Sequence, residues 1–192
     1  MDRIILASGS PRRKQLLEWA EVPFDILVKE TPETWPPGLS VAEVPVFIAR
    51  NKALAVQPLV TETAAGRDRV ILAADTVVVL GEEIIGKPRD RADAIGILSR
   101  LAGQRHEVIT GVILLKGDEE VSFYDRTAVW FHPLGLTEIE GYVDRYKPYD
   151  KAGAYAIQEW IGVVGIKGIE GDFYNVMGLP VSRVVQALRK FS

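Results

Sequence analysis

Three groups of residues in this sequence have the types and spacing that phosphate chemistry needs. The first is Ser8-Gly9-Ser10-Pro11-Arg12-Arg13. Ser10 suits a helix N-cap and Pro11 the first helical position. Gly9 permits a tight turn or the close approach of a ligand. Arg12 and Arg13 then oppose the partial positive charge of the helix N-terminus, at roughly a few tenths of a kcal/mol each. An anion bound at the turn reverses that sign, because backbone N–H groups, serine hydroxyls and guanidinium forks together make a phosphate site. A capped surface helix with two solvated arginines accounts for the same residues. The spacing is not that of a P-loop.

The second group centres on Asp75, which interrupts the apolar run Val70–Leu80. A carboxylate inside a strand is costly unless it is paired, hydrogen-bonded or metal-bound. Thr76 points to the opposite face of a regular strand. Lys87 follows a short strand that turns back at Gly81, a hairpin that would return its ammonium towards Asp75. A structural Asp–Lys or Asp–Arg pair at a strand end is the competing account.

The third group is scattered. Arg50 and Lys52 lie near the end of a helical pattern, where cations complement the helix dipole. Glu33 stands in the proline-rich segment Thr31–Gly38. Gln158 and Asn175 carry amides able to read a base edge, in "KPYDKAGAYAIQ" and "IEGDFYNVMGLP".

The bulk composition bounds these readings. The chain has 192 residues, 47% hydrophobic and 26% charged, which suits one globular unit or two small lobes sharing a core. Its net charge of -3 gives no expectation of nucleic-acid binding. There is no cysteine, so disulfides, thiolate catalysis and cysteine metal sites are excluded. His106 and His132 are too few for a histidine-rich metal site. A metal must rely on carboxylates and water, which favours Mg²⁺ or Mn²⁺. No apolar run reaches bilayer-spanning length and the N-terminus lacks a signal-peptide pattern, so a cytoplasmic protein with no membrane partner is expected.

Stepping outward, strands are expected at Ile4–Ala7, Phe24–Val28, Val70–Leu80, Val108–Lys116, Val121–Phe131, Ala154–Ile157, Gly162–Ile166 and Lys167–Ile169. Helices are expected at Pro11–Ala20, Val41–Val56, Arg91–Leu101, Thr137–Tyr146 and Pro180–Phe191. In the second, Val44, Phe47, Ile48 and Leu54 fall on one side. Gly81–Ile84 and Lys116–Glu120 read as tight connections, and Thr61–Asp68 as a loop. Strand–helix alternation followed by a meander predicts an α/β fold with a mixed sheet.

Taken together, "LASGSPRRKQLL", "ARNKA", "AADTVVVLGEEIIGKP", "DKAGAYAIQ" and "GDFYNVMGLP" resemble the Maf-type nucleoside triphosphate pyrophosphatases over essentially the whole chain. The resemblance implies a single domain over residues 1–192. Its fold would be an elongated, twisted mixed sheet flanked by helices, with two lobes around a central cleft as in Maf and ITPase proteins. It implies hydrolysis of a nucleoside triphosphate between the α and β phosphates, with a divalent metal, Mg²⁺ or Mn²⁺.

By the same resemblance Asp75 matches the aspartate that accepts a proton from the attacking water and associates with the metal. Ser8, Ser10, Arg13, Lys52 and Lys87 match residues around the phosphates, and Glu33 an acidic position near the metal. Arg12, Thr76 and Gln158 match the branch that hydrolyses dTTP and UTP, whereas the branch associated with 7-methyl-GTP has Trp, Gln and Glu there. Tyr149 replaces the common Leu or Met, and Glu159-Trp160 replaces a glycine-containing turn. A nucleotidyltransferase, or a nucleotide-binding regulator of cell division with little turnover, stays open as an alternative. A homodimer stays open as a partner state.

Overall fold

The computed structural model describes residues 2–62 and 68–191. The elements run β1 (Ile4–Leu6), α1 (Pro11–Trp19), β2 (Phe24–Ile26), α2 (Glu43–Thr61), β3 (Ile71–Leu80), β4 (Glu83–Ile85), α3 (Arg91–Leu101), β5 (Arg105–Lys116) and β6 (Glu119–Phe131). There follow α4 (Leu136–Tyr146), a 3-10 turn at Ala152–Ala154, α5 (Trp160–Gly165), β7 (Ile166–Glu170), α6 (Phe173–Met177) and α7 (Val181–Leu188), with a closing 3-10 turn. The strands form a seven-stranded mixed sheet of order β2-β1-β3-β5-β6-β7, with β4 added to β3. The expected mixed α/β fold is therefore present. Among the described residues no helix is long and apolar enough to cross a membrane. The loop expected at Thr61–Asp68 falls on residues 63–67, which lie outside the described residues.

The chain divides into two compact units, and β3, β5 and β6 each contribute residues to both. The first holds Met1–Asp75, Thr110–Asp125 and Gly178–Ser192. Here β1 lies parallel between β2 and β3, with Ile4 opposite Phe24 and Ile5 opposite Ile71. Its three residues are all buried, as an interior parallel strand requires. Helix α2 packs Ala49, Ala53, Val56 and Val60 into a core with Ile5, Ala7, Ile71, Ala73, Ile113 and Leu115.

The approach of α2 is close because Gly111 has no side chain. A Cβ at Gly111 would stand 2.2 Å from the Val46 nitrogen and 2.3 Å from the Pro45 carbonyl carbon. The start of α2 is fixed by Ser40, whose N–H and hydroxyl both donate to the Glu43 carboxylate, at 2.8 and 2.7 Å. The buried stripe of α2 differs from the expected one. Leu54 is exposed, and the small residues Ala49 and Ala53 carry the contact instead. The helix also runs past Pro58 to Thr61, beyond its expected end at Val56, because Val60 is drawn into the core.

The second unit holds Thr76–Ile109 and Arg126–Met177. β4 returns antiparallel to β3 with Val79 opposite Ile84, confirming the expected hairpin. Asp90 caps α3 by accepting from the Asp93 N–H at 2.9 Å. Arg91 of α3 grips Asp144 of α4 through two hydrogen bonds of 2.6 and 3.0 Å.

Two expected strands are absent from this unit. Ala154–Ile157 follows the 3-10 turn and does not pair, because Gly153 enters a left-handed conformation at φ +70. A Cβ there would lie 2.8 Å from the Val78 side chain, so the turn is pressed against β3. Gly162–Ile166 is helical as far as Gly165, and the strand begins at Ile166. The β-branched residues Val163 and Val164 are exposed in α5 rather than pleated into the sheet. Propensity gives way here to a tight local turn: Gly162 turns back onto the Ile157 carbonyl, which a Cβ would meet at 1.6 Å.

Candidate active site

In the first unit, β1 delivers the chain to Ser8 and α1 begins at Pro11. Ser10 occupies the N-cap in extended conformation, as expected, but its side chain makes no capping bond. Its N–H instead donates to the Ser8 hydroxyl oxygen at 3.3 Å. Arg13 is not a solvated surface arginine. It is 8% exposed. Its Nε donates to the Gly178 carbonyl at 2.8 Å and its Nη1 to Ser8 Oγ at 3.0 Å.

This ties the first turn of α1 to the residues that precede α7. Burial lowers the Arg13 pKa from its ordinary value; the negative charge of Asp75 opposes this, Arg12 adds to it, and Glu33 opposes it. Arg13 therefore senses both carboxylates of the second cluster. Arg12 is half-buried beside it.

That second cluster joins three of the candidate residues. Lys52, projected from α2, donates to Asp75 Oδ1 at 2.6 Å and to Glu33 Oε1 at 3.0 Å. Asp75 is 9% exposed at the centre of β3. One ammonium thus compensates a carboxylate in an otherwise apolar strand, which meets the requirement that a buried charge be paired. Glu33 reaches the same ammonium from the proline-rich loop and is exposed. The expected reading of Lys52 as a partner of the helix dipole gives way to this pairing. Arg50 points elsewhere, to the carboxylate of Glu120.

Among the described residues no group of three or more His, Cys, Asp or Glu side chains is placed to hold a metal. The donor set is two carboxylates meeting one cationic centre. Hard oxygen donors of that number fit Mg²⁺ or Mn²⁺, which bind through one or two carboxylates and complete their shells with water and substrate phosphates. A groove of about 710 Å³ in the same unit is lined by Glu43, Phe47, Arg50, Tyr124 and Arg183 among others, and includes none of the candidate residues.

The remaining candidates lie in the second unit. Thr76 is half-buried and follows Asp75 on β3. Lys87 is exposed just beyond β4. Gln158 is exposed between buried Ile157 and the start of α5. Asn175 is different. It is fully buried, and its Nδ2 donates to the Val108 carbonyl and to Thr127 Oγ1, each at 3.0 Å. Its amide fastens α6 to β5 and β6, so it does not present a base-reading edge.

Sequence reasoning missed the anchoring of Arg13 on Gly178 and the network around Tyr142. Tyr142 of α4 donates its hydroxyl to the Glu159 carboxylate and accepts from the Ala156 N–H at 3.3 Å. Burial and the Glu159 bond hold its phenol above the ordinary value, so it remains a proton donor. In sequence, Tyr142 is one more aromatic on an amphipathic helix and carries no signal of its partner.

A family model described as Maf-like protein matches residues 3–191. A dTTP/UTP pyrophosphatase of Cytophaga hutchinsonii is 51% identical over 187 residues, covering 97% of this chain and 83% of that one. One from Parabacteroides distasonis is 43% identical over 190 residues, covering 98% and 96%. One from Bacillus anthracis is 45% identical over 192 residues, covering 100% and 97%. Among solved structures, the Staphylococcus aureus Ham1 protein matches with a TM-score of 0.51 at 15% identity over 98% of both chains, a likeness of fold alone. With a family model spanning nearly all of it and relatives of this identity along its length, the chain belongs to the Maf-like protein family.

Proposed function

We propose that this protein is a nucleoside triphosphate pyrophosphatase that hydrolyses the α–β phosphoanhydride of dTTP and UTP, releasing the monophosphate and pyrophosphate. The observation that carries the reading is the identity of 43% and 51% to relatives named dTTP/UTP pyrophosphatase, over at least 97% of this chain.

The local geometry supports roles for its residues. Asp75 accepts the proton of the attacking water as its oxygen bonds to phosphorus and pyrophosphate departs. Lys52 pairs with Asp75 before substrate arrives. Triphosphate oxygens then compete for that ammonium, which frees the carboxylate to act as base. Ser8, Ser10, Arg13, Lys52 and Lys87 bind the phosphates. Arg13 is prepositioned by its bonds to Ser8 and Gly178, so little side-chain entropy is lost when it meets an anion. Arg12, Thr76 and Gln158 select the base.

Asp75 and Glu33 would hold a divalent cation, Mg²⁺ or Mn²⁺, together with substrate oxygens. Such an ion supplies charge neutralisation for the leaving pyrophosphate. The test is a screen of pyrophosphate release from each common nucleoside triphosphate in Mg²⁺, in Mn²⁺ and in excess chelator. The reading expects release from dTTP and UTP without any acceptor, lost on chelation. A requirement for a sugar-phosphate acceptor would instead indicate a nucleotidyltransferase. Tight dTTP binding with no release would indicate a nucleotide-binding regulator.

A further inference from the structure

Gln158 is exposed, yet the backbone on both sides of it is held unusually firmly. On its N-terminal side, the Ala156 N–H donates to the Tyr142 hydroxyl at 3.3 Å. Ile157 is buried, and its carbonyl oxygen faces Gly162 so closely that a Cβ there would lie 1.6 Å away. On its C-terminal side, Glu159 is the N-cap of α5 but its carboxylate makes no capping bond to that helix. It accepts the Tyr142 hydroxyl instead and lies 3.7 Å from Lys151 Nζ.

The glutamate thereby forgoes the stabilisation that an N-cap side chain usually provides to its own helix. The α5 N-terminus is closed through the Glu159 carbonyl, which accepts from Gly162 N at 2.9 Å and Val163 N at 3.3 Å. Tyr142 itself cannot swing away. It is 2% exposed and stacks on Tyr146 at 4.9 Å, with the Trp160 ring at 6.5 Å, both near-parallel at 25°. Lys151 is buried too, and its second carboxylate partner is Asp150 at 2.8 Å.

One hydroxyl thus touches residues two before and one after Gln158. We infer that Tyr142, through its paired bonds to Ala156 and Glu159, is a positioning residue that fixes the direction of the Gln158 amide and so sets base selectivity. The inference rests on the proposed dTTP/UTP reading and on Gln158 as a base-selecting residue. It adds a residue that touches no substrate. Tyr142 and Glu159 act as one unit in it, Tyr142 as donor and Glu159 as acceptor, with Lys151 placed beside the carboxylate. Phosphate binding and water activation use other side chains, so loosening this unit alters recognition and leaves the chemical step alone.

The experiment measures kcat and KM for pyrophosphate release from dTTP, UTP, CTP and GTP. It uses the full chain, as wild type and as Gln158→Ala, Tyr142→Phe, Glu159→Ala and Glu159→Gln. Tyr142→Phe keeps the ring stack and removes only the hydroxyl. It is expected to raise KM for dTTP about tenfold with kcat within about twofold, and to lower the preference for dTTP over CTP by a similar factor. Gln158→Ala should show the same loss of preference.

Glu159→Ala breaks the same bond from a partly exposed partner, so it gives the answer even where Tyr142→Phe fails to fold. Glu159→Gln keeps an acceptor for the hydroxyl and should restore most of the preference, a rescue that a general loss of stability would not produce. A Tyr142→Phe or Glu159→Ala enzyme with wild-type KM and wild-type preference, alongside a Gln158→Ala enzyme that has lost its preference, overturns the inference alone. A wild type that releases no pyrophosphate overturns the proposed function and this inference with it.

Discussion

Lys52 of α2 reaches Asp75 of β3 across 2.6 Å, and the same ammonium holds Glu33 at 3.0 Å. A cation shared between two carboxylates does two things. It makes a carboxylate tolerable in an apolar strand, and it fixes the position of the carboxylate that the proposed reaction uses as its base. Replacing Asp75 by Asn removes the proposed base while keeping the shape. The expected loss is about 10²–10⁴-fold in kcat for pyrophosphate release, with a melting temperature near wild type because Lys52 retains Glu33. Near-normal turnover by Asp75→Asn would remove Asp75 from the mechanism.

Arg13 is committed to Gly178 and Ser8 through separate nitrogens, a fork that lysine lacks. Arg13→Lys is expected to lose the bond to one of the two and to raise KM for dTTP. Arg13→Ala removes a buried, doubly bonded guanidinium and leaves its volume unfilled, and should cost about 2–4 kcal/mol of stability. Ser8→Ala removes a neutral partner and should cost about 1 kcal/mol. Urea unfolding of the three variants orders them. Equal stability of Arg13→Ala and wild type would show that the buried fork contributes nothing to the fold.

The main elements were legible because their signals are local. Pro11 and Ser10 mark the start of α1, and β-branched runs mark β3, β5 and β6. Asp75 stood out as the one charge in an apolar strand. What stayed hidden depends on contacts distant in sequence. Nothing near Arg13 announces that the Gly178 carbonyl will receive its Nε, so the arginine read equally well as solvated. Gly162 stayed hidden through a nearer contact: it looked like one more residue of a β-branched strand, yet it lies close against the Ile157 carbonyl a turn before it. Asn175 read as an amide able to meet a base edge because its partners, Val108 and Thr127, lie 67 and 48 residues away.

Gly111 controls how closely α2, and with it Lys52, lies against β5. A Cβ at 2.2 Å from the Val46 nitrogen meets backbone, which cannot rotate aside as a side chain can. Gly111→Ala must therefore push the start of α2 away from the sheet. The expected cost is at least about 3 kcal/mol. A shift of α2 also moves Lys52 relative to Asp75, so pyrophosphate release should fall by more than the folded fraction does. Activity per folded molecule, measured at a temperature where the variant is still folded, checks this. Wild-type activity and stability would mean that α2 adjusts without moving Lys52.

His106 sits among Phe131 and Tyr155, with ring centroids 5.0 and 5.5 Å away, and its Nε2 shares a 2.7 Å hydrogen bond with the Tyr155 hydroxyl. Burial, aided by the charge of Arg105, brings its pKa down from 6.5 to about 4. The folded protein therefore keeps His106 neutral at a pH where the unfolded chain takes up a proton. Stability from this group is full above pH 6.5, falls as the pH drops from 6.5 towards about 4, and levels off below that. The shift corresponds to about 3 kcal/mol. His106→Gln, which can still bond Tyr155, removes the titration. Chemical unfolding followed from pH 7.5 to pH 4 should show wild type losing stability more steeply than His106→Gln, with other titrating groups common to both. Parallel profiles for the two proteins would show that His106 is not held neutral by the fold.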